Sequence, residues 1–328
     1  MIALAVQDQS QVSETRRRAT EMAQRQGFGD SDAGRVALVA TELATNILKH
    51  GRAGEILVGA YGEGPDGGLE LIALDKGPGI SNVAASLADG YSTAGTPGKG
   101  LGAVVRQSHF VDVASWPGIG TAVLARLKPG QPAEGSSDTS RIGAVSIPKL
   151  GEDVCGDSWG VSVGGEETTL LVADGLGHGP DAAEAAVEAV RLFHRFIGHR
   201  PPVLLDYIHG GLRATRGAAV SVVRYQPASG KLIYAGVGNV AGVIAGNGDL
   251  RRMVSMPGTA GHNARKIQAF EYPFTTGLVI LHSDGIASTW TLERYPNLAA
   301  RHPTLIAAVL YRDLTRRRDD ATVLVAKW

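Results

Sequence analysis

A single cysteine, Cys155, stands in the whole chain of 328 residues. An internal disulfide is therefore excluded, and such sparing use of cysteine suits a reducing compartment. There is no excess of charge either: Lys+Arg and Asp+Glu balance at 32 each. No global field recruits nucleic acid or an anionic membrane, and the short run Arg16-Arg17-Arg18 reads as the solvated face of a helix. The nine histidines lack metal-site spacing, which argues against zinc. No apolar run approaches the ~18 to 20 residues of a spanning helix. The opening MIALAVQDQS is too short for a secretory segment and meets Asp8 at once. A cytoplasmic protein with no nucleic-acid or membrane partner is the expectation.

What is present suffices for two cores. Apolar residues make up 44% and charged residues 20%, and the length favours two domains. The composition shifts at PGQPAEGSSDTS, residues 129–140, where periodicity is lost and a linker is expected. The expected division is 1–128, linker 129–140, and 141–328. In the first domain, 10–26 and 31–50 read as helices, the second with Val36, Val39, Ala40, Leu43 and Ile47 as its core stripe and Ser31 or Asp32 as its cap. Strands are expected at 55–61, 69–75, 111–115 and 122–127, with a long glycine-rich stretch at 76–102, and loops that long are usually functional. In the second domain strands dominate: 160–163, 168–173, 218–225, 231–237, 242–245, 278–282 and 321–326. Helices are expected at 181–197, 202–214 and 303–314. Both domains thus read as α/β or α+β layers.

Three features of the first domain could form a nucleotide site. Glu42, Asn46 and His50 recur every four residues and share a helix face. Asp75-Lys76-Gly77-Pro78-Gly79 closes a strand, and Gly98-Lys99-Gly100-Leu101-Gly102 opens the helix that runs to Gln107. Glycines before a helix let backbone N–H groups and the positive helix end approach phosphates, with Lys99 adding a charge. Each feature alone has a plainer reading, as helix surface, turn former or ordinary loop.

In this order, the features resemble the GHKL ATPase and kinase family over about residues 1–128, closest to small anti-sigma-factor kinases and the stressosome switch kinase. ELATNILKH resembles the N box, DKGPGI and GKGLGAV the two glycine boxes, and GIGTAVLARL, with Gly120-Thr121, the strand beside the adenine pocket. The resemblance implies a Bergerat-type α/β sandwich binding ATP with Mg²⁺. Asn46 would hold the ion, Asp75 would read the adenine amino group, and Gly77 and Gly79 would form its turn. Gly98, Lys99, Gly100 and Gly102 would line the phosphates, under a lid at 81–97. Thr121 would flank the base, and Glu42 would accept the proton of a partner's hydroxyl.

In the second domain four acidic clusters stand at strand edges: Asp157, Asp174-Gly175, Asp284-Gly285 and Asp319-Asp320. Half-buried carboxylates repel one another unless a cation neutralises them, and an all-oxygen set suits Mg²⁺ or Mn²⁺. The plainer reading is four acidic turns without metal. GDSWG, ADGLGHG, GVGNVAGVI, HSDGI and RDDATVLVAKW resemble, in order, the PPM-type serine/threonine phosphatases of the SpoIIE branch, which includes the stressosome feedback phosphatase. The resemblance implies an αββα layered sandwich holding two Mn²⁺ or Mg²⁺ ions. Asp174 would bridge them, the Gly175 carbonyl would bind one, and Asp157, Asp284 and Asp319 would ligate the second, with Asp320 orienting a ligand water or backbone group. His178 could protonate the leaving oxygen, or simply be a satisfied turn residue. Cys155 reads as a small buried residue rather than a nucleophile. No arginine cluster stands near the first acidic motif to grip a phosphate.

Together these readings give an enzyme that removes phosphate from serine or threonine of a regulatory protein, expected to be a STAS-domain or other anti-sigma pathway component. The first domain would act as an opposing kinase or, alternatively, as a nucleotide- or partner-binding module that gates the phosphatase. A homodimer is an open option.

Overall fold

Apolar residues at helical spacing, followed by strands that alternate inward and outward, generate the first half of the computed structural model, which describes residues 1–62, 64, 67–87, 100–132, 138–246, 249–264 and 266–328. By their contacts these residues form two units, Met1–Ser140 with Ala300–Arg312, and Arg141–Ala299 with Asp313–Trp328.

The first unit begins with β1 (Ile2–Val6), a strand the sequence reading passed over as a merely short apolar stretch. Helix α1 (Gln9–Arg25) follows, started by a capping box in which Asp8 accepts from the Ser10 and Gln11 amides at 2.8 and 3.1 Å. Helix α2 (Asp30–Asn46) has Gly29 at its N-cap with no side-chain cap bond, so neither Ser31 nor Asp32 caps it. Asp32 instead accepts from Arg35 at 2.8 Å and from the Gly130 amide at 3.0 Å. Helix α2 runs into a π-helical turn, Ile47–Gly51. Strands β2 (Gly54–Tyr61) and β3 (Gly68–Asp75), the short helices α3 (Val83–Leu87) and α4 (Leu101–Gln107), and strands β4 (Phe110–Trp116) and β5 (Gly120–Leu127) complete the order. The sheet runs β1-β2-β3-β5-β4, antiparallel throughout. Alternate residues Ile56, Val58, Leu69, Leu71 and Val123 pack on the stripe Val36, Val39, Ala40, Leu43 and Ile47.

In the second unit, β6 (Ile142–Ile147), β7 (Asp157–Gly164), β8 (Glu167–Gly175), α5 (Pro180–Arg195), α6 (Pro201–Gly211), β9 (Ala218–Gln226) and β10 (Lys231–Val237) lead to β11 (Ala241–Gly246), β12 (Asp249–Met253), β13 (Ala269–Pro273), β14 (Leu278–His282) and, after α7 (Pro303–Leu314), β15 (Ala321–Lys327). They form two five-stranded sheets, β13-β10-β9-β8-β7 and β12-β11-β14-β15-β6. Val172, Val223, Leu232 and Tyr234 of the first share one core with Ile244, Val279, Leu281 and Leu324 of the second. The intervening positions Leu171, Ala173, Val220 and Val222 bury against Ala186, Ala189, Phe193 and Leu204 of α5 and α6. The result is a layered sandwich of stacked sheets with helices on one outer face. Among the described residues no helix is long and apolar enough to cross a membrane.

Residues 300–312, expected in the C-terminal domain, group with the first unit. Arg126 on β5 explains much of this. Its guanidinium donates to Glu70 Oε2 at 2.9 and 3.0 Å, to Asp138 at 2.6 Å and to Thr304 Oγ1 at 2.9 Å. Tyr61 lies against it, its ring centroid 4.3 Å away. Glu70 is only 3% exposed, and burial pushes its carboxyl up to about 7 against the pull of Arg126. Removing one partner of a buried pair strands the other charge. Arg126→Met is therefore expected to lower stability by about 3 to 5 kcal/mol, with part recovered when Glu70→Gln is added. Urea-unfolding midpoints of the two variants check this.

Candidate functional site: a nucleotide pocket and a carboxylate cluster

The end of α2 and its π turn form one wall of a cavity of about 520 Å³ in the first unit. Single π turns inside helices are often found at functional sites because they displace the following side chains. Glu42, Asn46, His50, Asp75, Gly79 and Thr121 all line this cavity, joined by Gly100. Gly77 and Gly102 are not among its walls. Gly98 and Lys99 lie outside the described residues, as does most of the expected lid, of which Ser81, Asn82 and Ser86 do line the cavity.

Asp75 ends β3 and turns inward. Its Oδ1 accepts from the Gly77 amide at 2.8 Å and the Thr121 amide at 3.2 Å. Neither bond uses Oδ2. Burial raises its pKa above the ordinary carboxylate range, and these two bonds oppose the rise. Thr121 Oγ1 lies 2.9 Å from Ser115 Oγ, which accepts the Ile80 amide at 2.7 Å. The turn can close so tightly only because Gly79 has φ +76°, and a Cβ there would sit 2.3 Å from the Trp116 carbonyl oxygen.

The acidic motifs of the second unit also meet. Asp157, at the start of β7, is the register partner of Asp174 near the end of β8. Asp284 follows β14, and Asp319 and Asp320 precede β15. Burial, then the charges of Asp157, Asp284 and Asp319, push Asp174 up to about 9. Burial raises Asp157 to about 7, although Ser283 Oγ donates to it at 2.7 Å. Asp284 is raised by burial and by Asp319, and Asn239 holds its Oδ2 at 2.6 Å. Asp320 Oδ1 accepts the Lys149 amide at 2.9 Å, while its buried Oδ2 has no hydrogen-bond partner among the described residues.

No three described His, Cys, Asp or Glu side chains already converge as a ready-made metal-ligand set. The donors nevertheless fit a hard divalent cation: they are carboxylates that repel one another, with an unpartnered buried oxygen beside them. Gly175 is required, since a Cβ there would lie 2.0 Å from the Ala182 carbonyl oxygen. Cys155 is pushed up to about 12 by burial first and Asp157 second, so its thiol keeps its proton.

Beside the cluster, His178 Nδ1 lies 2.6 Å from Glu152 Oε1. Arg216 is a residue that sequence reasoning missed. The Leu176 amide donates to the Gly217 carbonyl at 2.9 Å, which places Arg216 against the turn that follows Asp174. Its guanidinium is paired with Asp181 at 2.6 Å and lies 3.4 Å from where a Gly177 Cβ would be. Asn239 was missed likewise. Arg216 stands far from the first acidic motif in sequence and is brought to the site by the pairing of β8 with β9.

Two family models match parts of this chain. Residues 5–127 match the histidine kinase-like ATPase domain, and residues 164–328 match Stage II sporulation protein E (SpoIIE). The serine/threonine-protein kinase RsbT of Bacillus subtilis (strain 168) is 36% identical over 99 residues, 30% of this chain and 74% of RsbT. The phosphoserine phosphatase RsbX of the same organism is 24% identical over 142 residues, 43% of this chain and 71% of RsbX. A crystal structure of RsbX in complex with magnesium superposes with a TM-score of 0.50 at 22% identity, covering 58% of this chain and 97% of that one, which shows a shared fold. A structure from work on the bacterial stressosome as a modular system superposes at 0.53 with 28% identity, covering 57% and 98%.

The raised carboxyl of Asp174 has a consequence for stability. In the folded chain it holds its proton up to about 9, far above the ordinary aspartate value of 3.8. The folded state thus binds more protons than the unfolded state between those values, and stability falls as pH rises through that window. In chelator, Asp174→Asn is expected to flatten this fall and to be more stable than the parent by roughly 1 to 3 kcal/mol above neutral pH. Unfolding midpoints at acidic, neutral and alkaline pH measure the difference.

Proposed function

This chain belongs to the SpoIIE family and is a serine/threonine phosphatase of that type preceded by a histidine kinase-like ATPase domain, and we propose that it sets the phosphorylation state of a regulatory protein from both directions. The proposed substrate is a phosphoserine or phosphothreonine on a STAS-domain or other anti-sigma pathway partner. Similarity of one half to a serine/threonine kinase and of the other to a phosphoserine phosphatase supports opposed reactions on one class of partner. The observation that carries the hydrolytic reading is the Asp174 carboxyl, buried and surrounded by Asp157, Asp284 and Asp319.

Asp157, Asp174, the Gly175 carbonyl, Asp284 and Asp319 would hold two Mn²⁺ or Mg²⁺ ions. When bound, such a pair supplies Lewis acidity toward a water and toward the phosphoryl oxygens. The chain's own residues do the rest. Ser283 and Asn239 fix the orientation of Asp157 and Asp284. Arg216 offers a planar donor for the phosphoryl oxygens, exchanging its bond to Asp181 for the substrate. Water oxygen joins phosphorus as that water gives up a proton to solvent, the bond to the seryl or threonyl oxygen breaks, and His178, oriented by Glu152, gives that oxygen its proton. The protonated thiol of Cys155 takes no part.

In the first unit, ATP with Mg²⁺ would occupy the cavity lined by Glu42, Asn46, Asp75 and Thr121. Asp75 would accept from the adenine amino group, Asn46 would hold the ion, and Gly98, Lys99 and Gly100 would line the phosphates. Glu42, on the same cavity wall as Asn46, would accept the proton of the partner's hydroxyl.

Mn²⁺-dependent hydrolysis of a small aryl phosphate by the purified protein tests the reading. Asp174→Asn is expected to abolish it, whereas Arg216→Ala is expected to raise KM roughly tenfold with a smaller change in kcat. Hydrolysis that survives Asp174→Asn would contradict the assignment. Glu42→Gln separates kinase from binding module: loss of phosphotransfer with ATP binding retained supports the kinase.

A further inference from the structure

The nucleotide pocket takes one of its supports from far along the chain. Arg312, near the end of α7 and only 3% exposed, donates Nη1 to the carbonyl oxygen of Asp75 at 3.0 Å. The same residue's carboxylate faces the cavity through the Gly77 and Thr121 bonds. Gly120 on β5 also closes on that carbonyl: with φ +125°, a Cβ there would be 2.1 Å from it. Asp75 is therefore clamped at both ends, by its own turn at the carboxylate and by Arg312 at the carbonyl.

The other end of this segment is anchored as well. The His302 amide donates to Asp112 at 2.8 Å, Arg301 pairs with Asp112 at 3.2 Å, and Thr304 accepts from Arg126 at 2.9 Å. Residues 300–312 thus sit on β3, β4 and β5 of the first unit as a preformed part of it. Immediately beyond, the chain leaves at Asp313 and reaches Asp319 and Asp320, the last acidic motif. The residue that supports the adenine-reading aspartate and the residues of the carboxylate cluster are joined by a short stretch of backbone.

We propose that Arg312 is a positioning residue of the nucleotide pocket, and that through it occupancy by an adenine nucleotide is linked to the order of the segment carrying Asp319 and Asp320. The inference rests on the nucleotide reading of the first site. A nucleotide that engages the Asp75 carboxylate stiffens the turn whose carbonyl Arg312 holds. The ordering free energy passes to α7 and to the backbone that follows it, and by linkage whatever orders that backbone tightens nucleotide binding in return.

Hydrogen exchange of the full-length protein at constant Mg²⁺, with and without ADP, tests this. ADP is expected to slow exchange at 75–79, at 300–312 and at 313–320. Arg312→Met is expected to weaken ADP binding about tenfold, as loss of a charged donor does, and to remove the protection at 313–320 even at saturating ADP. Arg312→Lys is expected to restore part of both. ADP that protects 75–79 and leaves 300–320 unchanged in the parent would overturn the inference, and this measurement stands even where Arg312→Met does not fold. Wild-type affinity in Arg312→Met would overturn it equally. ADP that fails to bind the parent at all would instead defeat the nucleotide reading on which the inference rests.

Discussion

The mutual repulsion of carboxylates brought to the ends of packed strands is the constraint on which the second unit turns. Antiparallel pairing sets Asp157 opposite Asp174, and the neighbouring sheet ends deliver Asp284, Asp319 and Asp320. Nothing in folding alone rewards that arrangement, since burial and the charges of neighbouring carboxylates raise Asp157, Asp174 and Asp284. Hydrogen bonds from Ser283, Asn239 and the Lys149 amide offset part of the cost. The Asp320 oxygen without a partner shows that they do not offset all of it. A cluster that destabilises its own fold in this way is a candidate functional site by physical argument.

The first unit solves a related problem with fewer charges. The half-buried carboxylate of Asp75 is tolerated because two backbone amides bind its side chain. Glycines at 79 and 120 let the surrounding backbone close around it. Both sites therefore use the same device, an aspartate at a strand end held by a turn that only glycine can make. The proposed chemistry differs because one site gathers several carboxylates for cations, whereas the other presents the Asp75 carboxylate in a cavity to a purine.

Much of this is legible in the amino-acid sequence. Strands with continuous apolar runs, such as Leu278–His282 and Lys231–Val237, fall where the sequence placed them. The strands that escaped notice, Ile2–Val6, Ile142–Ile147, Asp249–Met253 and Ala269–Pro273, all lie at sheet edges. An edge strand is buried on fewer sides, so composition marks it weakly. The pocket residues Glu42, Asn46, Asp75, Gly79, Gly100 and Thr121 do line one cavity. Arg216 could not be found by motif spacing, because long-range strand pairing alone brings it to the cluster, whereas Asn239 stands inside the GVGNVAGVI stretch and only its bond to Asp284 needed the structure. The helix Pro303–Leu314 was foreseen as a helix, but its attachment to the first unit depends on buried partners of Arg126 and Arg312 that no local pattern reveals.

The central claim is that the carboxylate cluster exists to hold divalent cations. Calorimetric titration of Mn²⁺ into the chelator-stripped full-length protein at neutral pH, in two buffers of different ionisation heat, tests it most directly. With Asp174 raised to about 9 and Asp157 to about 7, binding must displace protons. The account predicts saturable binding, a buffer-dependent heat that reports proton release, and loss of both in Asp174→Asn. No binding, or binding whose heat is the same in both buffers and survives Asp174→Asn, would contradict it.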